Sequence, residues 1–239
     1  MTRLNKEDQI FWNSLSKFLL NFGLNIYYLS EEQKYTLITA FTHKSYANEN
    51  KSAEHNDYLE FIGDGVLQFI VTAWIAKKNP SWDSGFATQL RSSIVDKNNL
   101  SDLAEEYELF KYLRHSKAAF INGINKKTIS NLYEAFIGAI YVVFGINVAM
   151  EVTKQTLGKT FDSHYYSQHS HPKNVLQEHF QQSSTSNVVY TTEKLPNNTF
   201  RATVMFEWVK YGEGIGYSKK EAETNAAIDA LKKLKTIVK

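Results

Sequence analysis

Apolar residues Ile10, Phe11, Leu15, Phe18, Leu19 and Phe22 recur at intervals of three and four, which predicts an amphipathic opening helix ending near Gly23. Over residues 57–78 apolar side chains fill most of the circumference, so a long, buried helix is predicted that stops before Pro80. Further helices are predicted over 90–107 and over about 129–144, the latter dense in Ala, Ile and Gly. No alternation of period two precedes residue 170, so the first part of the chain is expected to be all helix. The run 161–170, rich in Ser, His and Tyr, breaks the pattern and reads as a linker. Beyond it, a short helix fits 173–182, alternating stretches at 188–193, 199–208 and 209–217 suit three strands, and a last helix starts near Ser218 with Ala222, Ala226, Ala230 and Leu234 on one stripe. The expected architecture is an all-α domain over 1–160, the linker 161–170, and a small α+β domain over 171–239. The second domain has the order α-β-β-β-α, one sheet faced by two helices.

Composition narrows the class. Of 239 residues 43% are hydrophobic, enough for a packed core. There is no uninterrupted run of about 18 apolar residues, so no membrane-crossing helix and no membrane partner are expected. The polar start followed by Glu7 and Asp8 resembles neither a secretion signal nor a transit peptide. The absence of cysteine excludes disulfides and thiolate metal sites, and a reducing cytoplasm is the expected location. Net charge is only +2, but it is uneven: residues 172–239 carry ten Lys or Arg against seven acids, and residues 1–171 carry seventeen against eighteen. A basic module behind a near-neutral one fits nucleic-acid binding, though so small an excess decides nothing alone.

The chemistry lies in acids on apolar helices. Asp57, Glu60 and Asp64 stand at i, i+3 and i+7, hence on one face of the predicted long helix. Asn131 and Glu134 form a second pair at i, i+3, again beside apolar residues. Acids so placed repel one another and resist burial unless a cation is present. Carboxylate oxygens suit Mg²⁺, with Mn²⁺ as a substitute. Gly63, Ala135 and Gly138 are small enough to let the two helices approach closely. From spacing alone, a solvated edge of two surface helices explains the acids equally well. No Gly-rich phosphate loop and no nucleophile elbow occurs, so no small-molecule cofactor is expected. His43 is expected to order its loop, His164, His169 and His171 to lie in a solvated hinge, and Tyr165 and Tyr166 to pack within the linker rather than stack on bases.

Four segments change the weighting. Ala40-Phe41-Thr42-His43-Lys44-Ser45-Tyr46-Ala47-Asn48-Glu49, the run His55 to Leu67 around Asp57-Tyr58-Leu59-Glu60-Phe61-Ile62-Gly63-Asp64, Leu90-Arg91-Ser92-Ser93-Ile94-Val95, and Tyr133-Glu134-Ala135-Phe136-Ile137-Gly138-Ala139-Ile140-Tyr141 resemble, in order and spacing, the segments of the ribonuclease III family. The resemblance implies a metal-dependent endonuclease that cuts double-stranded RNA to 5′-phosphate and 3′-hydroxyl ends, in precursors such as ribosomal RNA. It makes Asp64 and Glu134 the catalytic acids and Glu60, Asp64, Asn131 and Glu134 the metal-binding set. Asp57 becomes a supporting acid and Phe61 a contact in a homodimer. The family usually has Glu at position 57 and Asp at position 131, so this chain offers a shorter reach at one and one charge fewer at the other.

The C-terminal part resembles a double-stranded RNA-binding domain. His171-Pro172-Lys173-Asn174-Val175-Leu176-Gln177-Glu178 is similar to its first helix, and Gly212-Glu213-Gly214-Ile215-Gly216-Tyr217-Ser218-Lys219-Lys220-Glu221-Ala222-Glu223 to its closing motif. Lys219 and Lys220 at a helix start combine ammonium charge with free N–H groups, which makes a phosphate site. Gln177 is a further expected RNA contact. The loop 195–200 is short and lacks the usual His, leaving Asn197 and Asn198 in its place. Two rivals stand at this stage: a non-catalytic double-stranded RNA-binding protein, favoured by Asn131, and a helical scaffold whose acids only solubilise it.

Overall fold

The computed structural model describes residues 4–51, 53–78, 84–121, 123–169, 171–181 and 184–237. It divides into two compact units, Met1–His164 and Tyr165–Lys239.

In the first unit, α1 (Lys6–Leu19) starts where the Asn5 side chain accepts a hydrogen bond from the Asp8 amide at 2.8 Å. A 3₁₀ turn, Leu20–Phe22, closes it, and Gly23 at φ 69° takes the left-handed conformation that ends the run. α2 (Glu31–Ala40) opens with a reciprocal capping box between Ser30 and Gln33. The short α3 (Lys44–Glu49) is capped by His43. The centre is built by α4 (Asp57–Lys78) and α7 (Lys126–Phe144). A Cβ on Gly63 would lie 1.8 Å from the Glu134 carbonyl oxygen, and one on Gly138 would lie 2.1 Å from that of Leu59. The two helices therefore touch backbone to backbone, which only glycine allows. Phe18, Phe22, Phe41 and Phe136 pack edge to face around this centre.

Three expectations need correction here. The helix predicted over 90–107 is two helices, α5 (Ser84–Ile94) and α6 (Lys97–Glu106). Asp96 separates them, because its carboxylate accepts from the Asn98 amide at 2.8 Å and starts a new helix. The run read as a linker is helical as far as His169, the end of α8 (Ile146–His169). Phe161 is buried against Trp74, and Asp162 pairs with Lys78, so this stretch is packed on one side although polar in composition. Finally, α4 is long and apolar enough to meet the length and composition of a membrane-crossing helix. Its buried residues Leu59, Gly63, Val66, Leu67, Ile70 and Val71 form its packed side, with α7 lying at Gly63. Pro80, named as the stop of this helix, lies outside the described residues, and α4 ends at Lys78.

The second unit runs α9 (Pro172–Gln181), β1 (Val189–Lys194), β2 (Phe200–Phe206), β3 (Val209–Gly216) and α10 (Lys219–Ile237). The sheet is antiparallel in the order β1-β2-β3, with Tyr190 opposite Val204 and Val204 opposite Gly212. Alternate glycines of β3 face α10: Cβ atoms on Gly212, Gly214 and Gly216 would meet the backbone of Ala226, Ala226 and Ala222 at 2.4, 2.2 and 2.6 Å. The alanine stripe and the glycine stripe are thus two halves of one close contact. Leu176 and Phe180 of α9 complete the core, Phe180 stacking on Phe206 at 4.1 Å.

Candidate active site and nucleic-acid interface

The backbone crossing of α4 and α7 places Asp64 and Glu60 near enough to Glu134 for their charges to act on its carboxyl. Glu134 is half-buried, and burial, reinforced by the negative charges of Asp64 and Glu60, pushes its carboxyl up to about 7. Burial also raises Glu60, with Asp57 adding to the rise, while a hydrogen bond from the Asn131 amide and the nearby Lys127 charge oppose it. Asn131 therefore serves Glu60, steadying its ionised form without adding charge. Asp64 is exposed and accepts from the Gln68 amide at 3.4 Å. Asp57 sits at the first turn of α4, exposed, 3.3 Å from His55. Among the described residues no three His, Asp or Glu side chains close on a common point. The acids share a field without forming a finished cage.

The segment leading into this site is fastened from below. Arg114 is almost fully buried, donates to Asp8 at 2.7 Å and to the Thr42 hydroxyl at 2.7 Å, and lies over the rings of Phe11 and Tyr46. His43 Nδ1 accepts from the Ser45 amide at 3.2 Å, so this histidine orders its loop as expected. Beside Glu60 a cleft of about 460 Å³ opens, with Asp57, Asn131 and two lysines, Lys44 and Lys127, in its wall. Sequence reading missed Lys44, Lys127, Asn56 and Arg114. Nothing in periodicity or spacing marks them: Lys44, Asn56 and Lys127 come from separate stretches of chain that meet in the cleft, and Arg114 finds Asp8 and Thr42 far away in the sequence.

Elsewhere in the first unit, His164 is not in a solvated hinge. Its ring nitrogens lie 3.1 Å from the Ser93 hydroxyl and 3.3 Å from the Asn99 amide. The side chains of Tyr166 and His169 lie outside the described residues. Phe61 is exposed, and with Tyr58 and Phe69 it forms an apolar stripe on α4 beside the acids, Tyr58 and Phe61 being stacked.

In the second unit, Lys219 and Lys220 open α10 and are exposed, with no ion pair among the described residues. Ser218 caps that helix by accepting from the Glu221 amide at 3.1 Å. Gln177 is spent internally: its oxygen accepts from the Val188 amide at 2.8 Å and its nitrogen donates to Asn187 at 2.9 Å. It ties α9 to the start of β1, which limits it as an RNA contact. Asn197 accepts from both the amide and the hydroxyl of Thr199, and Asn198 takes a left-handed φ of 60°. Asn197 shapes the loop tip that presents Asn198.

Residues 33–160 match the family described as Ribonuclease-III-like, and residues 172–234 match the double-stranded RNA binding motif. A "Ribonuclease 3" of a Geobacillus species is 34% identical, over 99% of this chain and 96% of its own length. The chain belongs to the ribonuclease III family. A "Ribonuclease 3" of Bacillus cereus is 37% identical, over 83% of this chain and 84% of its own. The crystallised nuclease domain of ribonuclease III from Campylobacter jejuni, 28% identical, superposes with a TM-score of 0.54 over 61% of this chain and 97% of that domain. As a member of the ribonuclease III family the protein is an endoribonuclease acting on double-stranded RNA, with a helical nuclease unit followed by an α-β-β-β-α RNA-binding unit. The scaffold reading is thereby excluded.

Proposed function

We propose that Glu60, Asp64 and Glu134, assisted by Asn131, hold Mg²⁺, with Mn²⁺ as a substitute, and that the enzyme cuts both strands of double-stranded RNA to 5′-phosphate and 3′-hydroxyl ends. The observation that carries this reading is Glu134, a half-buried carboxyl driven up to about 7 by burial and, beyond that, by the charges of Asp64 and Glu60. So much uncompensated negative charge in a partly buried place is what a divalent cation relieves. When bound, the ion neutralises charge at the phosphodiester and activates a water for attack. The chain's own residues set the geometry: Gly63 and Gly138 bring α4 and α7 together, Asn131 orients Glu60, and Asp57 adds negative potential at the margin. The stripe Tyr58, Phe61 and Phe69 supports a homodimer, in which each subunit cuts one strand. The nuclease domain of the Campylobacter jejuni enzyme has a region involved in dimer formation, which favours the same assembly. Structured precursors such as ribosomal RNA are the proposed natural substrates.

The test is to incubate purified protein with long double-stranded RNA, with and without Mg²⁺, and to analyse product ends. Short duplexes bearing 5′-phosphates, formed only with metal, are expected. Equal cleavage in a chelator, or ends of the opposite polarity, would overturn the metal mechanism.

A further inference from the structure

The cleft beside Glu60 has a chemistry that the metal site does not use. Asp64 and Glu134 stand outside its wall, whereas Lys44, from the start of α3, and Lys127, from the first turn of α7, stand within it. Both lysines are exposed, and neither makes an ion pair among the described residues. Asn125, the N-cap of α7, is also in the wall, so the positive end of that helix faces the same space.

Asn56 is the second, independent observation. It is only 4% exposed, yet its side-chain amide has no hydrogen-bond partner among the described residues. Its backbone is fully used, the N–H donating to Thr42 and the carbonyl accepting from Glu60. The side chain lines the cleft. An amide that lines the cleft without a protein partner among the described residues is free to donate to and accept from a ligand seated there.

The ligand must satisfy cations, an amide and a carboxylate together. A bare anion is disfavoured by Asp57 and Glu60 on the same wall, and a bare cation by the two lysines. A ribose–phosphate unit carries both characters: an anionic phosphate, and a 2′-hydroxyl that donates and accepts. We propose that this cleft seats one ribose–phosphate unit of the RNA backbone, with Lys44 and Lys127 on the phosphate and Asn56 on the 2′-hydroxyl. The proposal rests on the reading of the adjacent acids as the cutting site, and it gives the nuclease unit its own means of telling RNA from DNA. Lys44, Lys127 and Asn56 are positioning residues; the acids remain the reacting site.

The experiment uses the full chain and a short RNA duplex with one cut site, all-ribose or with 2′-deoxy nucleotides around the cut. The Lys44→Ala/Lys127→Ala double variant alters only exposed side chains, so its fold is retained. It is expected to raise KM about tenfold with kcat within about threefold, and to flatten the salt dependence of log KM by roughly two units. For the wild type, the deoxy substitutions should raise KM about tenfold, and Asn56→Ala, checked for an unchanged thermal transition, should erase that difference. If the wild type cuts RNA but the double-lysine variant keeps its KM and salt slope, the cleft assignment is overturned and the cutting site stands. A deoxy penalty that survives Asn56→Ala removes Asn56 from the 2′-hydroxyl. A wild type that cuts no duplex RNA overturns the cutting site itself and this subsite with it.

Discussion

Glu134 is the residue in which burial and charge conflict most. Its carboxyl is raised to about 7, well above its ordinary value, so the folded protein binds that proton more tightly than the unfolded chain does. Without metal, the fold therefore loses stability as pH climbs from the ordinary carboxyl range through about 7. Discounted for the solvent that still reaches the group, the loss is on the order of 1–2 kcal/mol. Glu134→Gln keeps the shape and removes the charge. In chelator it should raise the melting temperature by a few degrees near pH 8 and leave it unchanged near pH 5. Equal shifts at both pH values would show that the effect is not electrostatic. Asn131 gives a second prediction. As an amide it steadies Glu60, whereas Asp would repel it and attract a cation. Asn131→Asp should destabilise the metal-free protein and lower the Mg²⁺ concentration for half-maximal cleavage by roughly tenfold. A flat or rightward shift in the Mg²⁺ titration would mean that the amide's work on Glu60 matters more than charge.

At the scale of elements, the α4–α7 crossing holds the site. Gly138→Ala would place a methyl 2.1 Å from the Leu59 carbonyl oxygen, a backbone atom that cannot swing aside. The helices must part, at a cost of about 3 kcal/mol or more. Urea unfolding should report that loss for the nuclease unit, and cleavage should fall with it because Glu60 and Glu134 separate. Unchanged stability would mean that the crossing is looser than its geometry. Much of this element was legible beforehand. The apolar run 57–78 predicts α4 to the residue, and small residues at 63, 135 and 138 predict a close approach. The three strands also followed from alternation, because β2 buries every second side chain and β3 turns every second position, a glycine, inward. What the sequence hid has physical reasons. The break at Asp96 is made by one capping hydrogen bond, and an apolar period reads straight through it. The start of the run 161–170 looks like linker because Asp162 and Ser163 are polar and exposed, while Phe161 is buried and His164 meets Ser93. The cleft was invisible because Lys44, Asn56 and Lys127 meet only after the helices pack.

At the scale of the whole molecule, chemistry and affinity are assigned to different units. Lys219→Ala/Lys220→Ala should weaken duplex binding and flatten its salt dependence by about one unit per lost phosphate contact. Cleavage at low salt should persist. A chain ending at His169, so that α8 is whole, should likewise still cut at low salt with reduced affinity. If that chain is folded and dimeric yet inactive under every condition, the division of labour is wrong. The most direct test of the central claim compares Glu134→Gln with the wild type for cleavage rate at saturating Mg²⁺ and for affinity toward the same RNA duplex. The account predicts a rate lower by orders of magnitude with binding within a few-fold, as expected for loss of a group used in the reaction alone. Near-normal cleavage by Glu134→Gln would contradict it.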